Sequence, residues 1–463
     1  MSIRKNSYVI LESVEELRSN LSLMKTDFYY MKSCIENENR KYYEKKQLPP
    51  IPNPKHINGQ IESEIEKISN NMKDLESQYS TNNTSETLRL LLQVNMLLNE
   101  LNSNLSFLQS LVNQRFVSSS TPIEFIHYFH SDTMSMATIR DVQIAADCVL
   151  GDFVKKIMGH DWMTLNKYTP LTFFAEDYQI GNLNYIAQIP LSDRYRCRFW
   201  AILCHEVAHI KISELLKNRD PLFITLFTDI QNELLKWPLN FQKSSAQKQI
   251  IELFCDLIAA YVCGPAFLNA SAERLRPDIP LRINAQNNLI FGSEGELIES
   301  IRTCFSHPPN DVRIYTMLKL IVDVLGLNDG WICTLDDFVN FKNDELLGKG
   351  RLFIFLDTYK KVIDLFFDEI SSFMNTAFES NSYSRTKWDA AKLRYEKNEF
   401  RGNEPIDLLN LVWFDRNLSF QKGTFVELDD FFKSRENETK LFPIVVNYLC
   451  EYNSNHLMQK REF

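Results

Sequence analysis

The chain opens on a hydrophobic rhythm. Ile10, Val14, Leu17, Leu21, Met24, Phe28, Met31 and Ile35 alternate spacings of four and three, with polar residues between them. That is the heptad pattern of a helix with one apolar seam. A second seam runs through Ile61, Ile65, Ile68, Met72, Leu75 and Tyr79, and a third through Leu91, Val94, Leu98, Leu101, Leu105, Leu108 and Val112. Four prolines between Lys46 and Lys55 predict a stiff, extended connector after the first helix. The polar stretch Ser80 to Ser85 predicts a turn after the second. Three seams in one chain can close on each other as a helical bundle. They can equally form a coiled-coil arm that recruits a second copy or another protein. Spacing leaves both open.

The run VSSSTP at 117–122 predicts a boundary, so residues 1–118 read as the helical arm. Helical patterning resumes from about Thr121 to Ile157, and then the period changes. Leu171 to Gln179 and Leu183 to Ile189 read as strands around Ile180-Gly181-Asn182, a combination that predicts a hairpin with a two-residue turn. Pro190 suits a sheet edge, and Asp193 is positioned to cap a following helix. Residues 119–340 read as one domain. Residues 341–463 read as a mostly helical region, whose stripe from Leu352 and Phe353 through Tyr359, Phe366, Ile370 and Phe373 predicts packing on that domain. The expected fold class is mostly α with a small β-sheet, an α+β arrangement behind an N-terminal heptad-patterned bundle or coiled-coil arm.

Composition narrows the setting. The chain has 463 residues, 44% hydrophobic and 12% aromatic, with only 13 glycines, so a large folded core is expected. A net charge of −9 without a long basic run argues against a nucleic-acid partner. Nine cysteines, an odd number with no CxxC pair, suit a reducing compartment. Residues Met1 to Leu23 are charged throughout and do not read as a signal peptide. The expected location is cytoplasmic. Ile250 to Leu268 comes nearest to a membrane span. It carries Glu252 and Asp256 and meets Gly264-Pro265, so a buried core helix fits better. No phosphate-binding loop, dinucleotide glycine pattern or GxSxG is present.

The chemistry centres on His205-Glu206-Val207-Ala208-His209, set in an apolar run from Phe199 to Ile210. Residues four apart stack on one helix face, so both imidazoles can meet one Zn²⁺ ion, with Glu206 beside them as general base. Zinc needs a further ligand. The helix-patterned stretch Gln249 to Ala260 holds Glu252 and Asp256, four apart in an otherwise apolar helix. Two buried carboxylates on one stripe are costly without a cation or strong donors. Glu252 is the expected third ligand and Asp256 the partner of a histidine ring, with the reverse assignment still open. A third element, His307-Pro308-Pro309 through Arg313, predicts a turn and a new helix with Asn310 or Asp311 as cap. There His307 can stabilise an oxyanion in a cleft, and Arg313 can hold Glu252, Asp256 or a substrate carboxylate.

Together, the HExxH, ExxxD and HPxxxxR elements, in that order, resemble the gluzincin zinc metallopeptidases. They are most similar to the family of CAAX prenyl endopeptidases and bacterial heat-shock membrane proteases. The resemblance covers roughly Tyr168 to Ile321. It implies a zincin-like catalytic domain with His205, His209 and Glu252 as zinc ligands and Glu206 as base. It further implies Asp256 behind a histidine, and His307 and Arg313 at the cleft. Those relatives sit in membranes, whereas this chain offers no clear span, and Pro221 to Lys236 adds a helix between the second histidine and Glu252 that could shape or cover the cleft. The expected function is a soluble zinc-dependent peptidase acting on a peptide or protein substrate. The alternative is a non-catalytic scaffold with a structural or vestigial metal site and a partner-binding coiled-coil arm.

Overall fold

The computed structural model describes residues 2–44, 54–80, 84–112, 139–159, 171–175, 178–180, 186–190, 193, 196–236, 243–275, 281–283, 289–291, 307–335, 354–397, 399–400, 402–419 and 444–452. The expected breaks at 118/119 and 340/341, the VSSSTP run, and Leu352 and Phe353 lie outside them. The described chain is mostly helical with a small sheet.

The three heptad runs are helices α1 (Ser2–Glu44), α2 (Pro54–Ser80) and α3 (Thr84–Val112), and they pack on one another. Their shared core holds Val14, Leu17, Leu21, Phe28, Met31 and Ile35, then Ile61 to Leu75 of the second seam, then Val94, Leu98, Leu101, Leu105 and Leu108. Two details differ from the spacing. Leu90 is buried at the start of α3 while Leu91 is only partly covered, and Leu111 joins Val112 inside. An α-helix repeats every 3.6 residues, so a straight helix drifts off a strict 3.5 seam toward its ends. The connector is also shorter than predicted, because Pro54 begins α2. Proline is tolerated in a first turn, where its missing N–H has no helical partner.

Helix α4 (Ile139–Met158) leads to a three-stranded sheet of β1 (Leu171–Ala175), β2 (Gln179–Ile180) and β3 (Ile186–Pro190), ordered β1-β3-β2. The predicted hairpin is therefore revised. Its first strand splits: β2 pairs antiparallel with β3, while β1 crosses to the other side and pairs parallel, Leu171 opposite Ile186. The reason lies in the faces of β1. Leu171 and Phe173 enter the bundle core, with Phe173 edge-on to Phe107 of α3 at 5.6 Å, whereas Phe174 enters the second core. Thr172, between them, donates its N–H and hydroxyl to Asp147 Oδ1 of α4, at 2.6 and 2.9 Å. A strand buried on both faces belongs between two layers, not in a surface hairpin. In β3, Ile186 enters the bundle core while Ala187 and Ile189 enter the other, so one sheet serves both.

The second core is built by a 3-10 turn (Cys197–Ile202), α5 (Leu203–Asn218), α6 (Pro221–Leu235), α7 (Lys243–Cys263) and α8 (Pro265–Arg274). After the two-stranded ribbon β4 (Leu281–Ile283) and β5 (Leu289–Phe291) come α9 (Asn310–Lys319), α10 (Ile354–Leu365), α11 (Phe367–Phe378), α12 (Arg385–Glu396) and α13 (Pro405–Ser419). Val362, Ile363, Phe367, Ile370, Phe373 and Trp413 from the C-terminal helices all join this core. Asp193 does not cap a helix. It is buried, accepts from Tyr178 at 3.0 Å and pairs with Arg274, and the chain enters α5 through the 3-10 turn without a side-chain cap.

The nearest approach to a membrane span is broken at Gly264, whose φ of 70° and ψ of −150° favour glycine. A Cβ there would run into the Tyr383 ring. Among the described residues, no helix is long and apolar enough to cross a membrane.

Candidate metal centre

Helices α5 and α7 lie against each other, and the candidate residues sit along their contact. His205 is buried in the first turns of α5, its ring stacked on Phe267 of α8 with centroids 6.1 Å apart and planes at 17°. One turn on, His209 is about one-third exposed, and its Nε2 comes 3.1 Å from His205 Nε2. The i, i+4 spacing thus puts both ring nitrogens on one spot, as the helix period requires. Glu206, half-buried, follows His205 on the same helix.

From α7, Glu252 reaches the same spot. Its Oε2 is 3.2 Å from His205 Nε2, and its Oε1 is 3.6 Å from His209 Nε2. One helical turn deeper, fully buried Asp256 places Oδ1 2.9 Å from His205 Nδ1. Arg313 of α9 grips that carboxylate with two hydrogen bonds, Nε to Oδ2 at 2.6 Å and Nη2 to Oδ1 at 2.8 Å. Of the three partners open to Arg313 in the sequence, the fold selects Asp256. A planar fork matched to a carboxylate is the strong form of this contact. His307 stands at the rim, half exposed, with Nε2 3.2 Å from Glu252 Oε2. Pro309, rather than Asn310 or Asp311, occupies the cap position of α9.

The donor set can be tested against a cation. Ligand atoms about 2.0–2.1 Å from a tetrahedral zinc lie roughly 3.3 Å from one another. The two Nε2 atoms, 3.1 Å apart, lie near that edge, and Glu252 meets them through different oxygens, Oε2 at 3.2 Å from His205 and Oε1 at 3.6 Å from His209. Suitable ligand atoms of His205, His209 and Glu252 all fall within 4.8 Å of each other, and His307 is not part of that group. Glu252 Oε2 is buried without a hydrogen-bond partner, although two ring nitrogens approach it at 3.2 Å. A buried carboxylate oxygen left in that state is costly unless something else binds it. His205 Nδ1 comes 2.9 Å from Asp256 Oδ1, and that acid helps to raise the histidine's pKa. The residues fit a divalent cation.

Electrostatics point the same way. Burial by itself would push His205 down, but Asp256 and Glu252 overcome it and carry its pKa up to about 10. His209 is pushed down to about 4 by burial and by positive charge on His205. Burial would raise both acids, yet the imidazoles of His205 and His307 hold Glu252 far below the carboxylate range, and Arg313 with His205 draws Asp256 down to about 2. The carboxylates demand positive charge between the rings, which either a proton or a metal ion can supply.

All seven residues singled out from the sequence fall in this region of α5, α7 and the start of α9. The stacking ring of Phe267 was not foreseen. It follows the Gly264-Pro265 break, and only the turn of the chain there brings it under His205. The helix between the second histidine and Glu252 does not cover the centre with its apolar face. Its Phe223 packs on Phe254, at 5.1 Å, and Phe373, at 5.5 Å. Comparison of the chain with family models, with curated proteins and with solved structures finds no match, so the reading of this centre rests on its own residues.

Proposed function

We propose that the chain is a zinc-dependent peptidase whose metal ligands are His205, His209 and Glu252. The observation that carries this reading is the convergence of His205, His209 and Glu252, with one ligand atom of each within 4.8 Å of the others, around a buried carboxylate oxygen that has no hydrogen-bond partner. When bound there, Zn²⁺ would supply a Lewis acid that polarises a water molecule and the scissile carbonyl. Three protein ligands leave one tetrahedral position for that chemistry, whereas a purely structural zinc is closed by four.

The protein groups divide the remaining work. The Glu206 carboxylate accepts a proton from the attacking water as its oxygen bonds to the carbonyl carbon. It then delivers that proton to the amide nitrogen as the C–N bond breaks. His307, at the rim, donates a hydrogen bond to the developing oxyanion. Asp256 fixes the His205 ring from behind, and Arg313 keeps Asp256 ionised and oriented. An extended peptide can lie along the outer edge of β2, which packs beside α5, and use backbone hydrogen bonds for most of its affinity.

The test is metal analysis and digestion of a mixed peptide library with the purified chain. Glu252→Ala and His209→Ala should lose stoichiometric zinc. Glu206→Gln should keep zinc and fold while hydrolysis falls by about 10²–10⁴-fold. A zinc-free, inert wild-type protein would instead favour the scaffold. Zinc-loaded Glu206→Gln with normal turnover would remove the mechanism.

A further inference from the structure

The outer face of α3 differs from the rest of the bundle surface. From Leu90 to Val112, Glu100 is the single charged residue. Leu92 and Met96, one turn apart, are 63% and 72% exposed. Asn99 and Ser103 continue the same stripe as exposed, uncharged positions. By contrast, α2 turns Glu66, Lys67, Lys73 and Asp74 outward, and the exposed Leu23, Tyr29 and Tyr30 of α1 stand among Lys25, Thr26 and Asp27. Two large apolar side chains beside a polar but uncharged stripe are poorly suited to water and well suited to another helix.

We propose that this face pairs with the same face of a second copy of the chain, α3 against α3 in antiparallel orientation. Two features single out that occupant. The chain carries a net charge of −9, so two copies repel wherever acidic faces meet, and α3 presents a face almost free of charge. The second feature is self-complementarity. Setting Leu92 of one copy level with Met96 of the other places a twofold axis midway between them. Arg89 and Glu100 lie eleven residues apart, three turns plus about 20°, and so share one flank of the stripe. In the antiparallel register, Arg89 then stands about one residue's rise, ~1.5 Å, from the level of the partner's Glu100. The twofold axis repeats that opposite-charge match at the other end, the hallmark of an isologous interface. Arg89 bonds to Glu86 of its own helix at the surface, and that contact leaves its guanidinium on the exposed flank.

This pairing does not depend on the metal centre, and its test does not read hydrolysis. The full-length chain is weighed by sedimentation equilibrium from low to high micromolar concentration, with helix content checked by circular dichroism. The wild type is expected to be a dimer, and Met96→Glu a monomer of unchanged helicity. Arg89→Glu and Glu100→Arg should each weaken dimerisation by about tenfold. The double variant Arg89→Glu/Glu100→Arg should regain most of that loss. The bond from Arg89 to Glu86 is missing in the single Arg89 variant and in the double one alike, so regained affinity reports the contact between copies. A wild-type monomer throughout the range overturns the proposal. So does a dimer indifferent to Met96→Glu, or a double variant no tighter than the singles.

Discussion

The bundle and the region of the candidate metal site are both helical, and they handle charge in different ways. In the bundle, ion pairs such as Arg18 with Glu76 at 2.7 Å and Lys32 with Glu62 at 2.6 Å lie toward solvent, and among the described residues the buried polar side chains there, Asn58, Thr87 and Asn104, are uncharged. The second region has surface pairs too, such as Arg385 with Asp389, but it also takes charges inside. Asp256 is fully buried under Arg313, and Lys156 of α4 is buried between Asp152 at 3.1 Å and Glu404 at 2.6 Å. An exposed pair contributes little and can sit almost anywhere. A buried charge has to meet its partner in three dimensions, or its desolvation is not offset. The first region is therefore specified by periodicity, and the second by contacts between residues far apart in the chain.

The strongest way to break this contrast is to orphan the buried acid. Arg313→Met should leave Asp256 without its cation and lower stability by about 3–5 kcal/mol, read by urea denaturation. It should also loosen the His205 ring, so zinc affinity should fall in the same protein. A loss under 1 kcal/mol would mean that the buried pair does not hold the fold together.

Next in size is the junction between α7 and α8. Gly264→Ala forces a side chain into a backbone region almost reserved for glycine and against the Tyr383 ring. It should cost about 3 kcal/mol in thermal or chemical unfolding. No change there would mean that the Tyr383 contact is readily remade.

A third measurement sharpens the comparison among buried acids themselves. Asp407 is buried without a matched cation, and burial pushes its pKa up to about 6 from 3.8, although it accepts the Glu404 N–H at 2.9 Å. A folded-state value above the unfolded one means the native protein holds that proton more tightly. The resulting stability is present in full below about pH 4 and is lost as pH rises through about 6. Asp407→Asn can keep the hydrogen bond without the charge. It should therefore be more stable than wild type at pH 7 by about 2–3 kcal/mol, with the advantage fading toward pH 4. A difference that stays flat with pH would contradict the shift.

Smallest should be Arg18→Ala in the bundle, within about 0.5 kcal/mol of wild type. A loss of several kcal/mol there would erase the contrast between the two regions.

Much of the centre was legible because its parts are local. A helix period puts His205 with His209, and Glu252 with Asp256, on single faces. Two acids in an apolar stripe signal a need for positive charge wherever they end up. The choice of Arg313 for Asp256 was not legible, since Glu252 or a substrate group would have served its chemistry equally well. Neither was the split of the expected hairpin. The residues of β1 alternate correctly for a strand, but that pattern does not say that Leu171 and Phe173 meet one core and Phe174 another.

The sequence alone determined what repeats along the chain: three heptad seams, and two pairs of ligand-type residues each locked to one helix face. Those follow from backbone geometry, which is the same in every helix. Tertiary structure alone decided which faces meet. It brought α7 to α5 so that Glu252 reaches both imidazoles, swung α9 in to clamp Asp256, and slid one small sheet between two cores. The reason is that side-chain contacts across the fold depend on how whole elements close-pack, and the spacing of residues within any one element does not encode that.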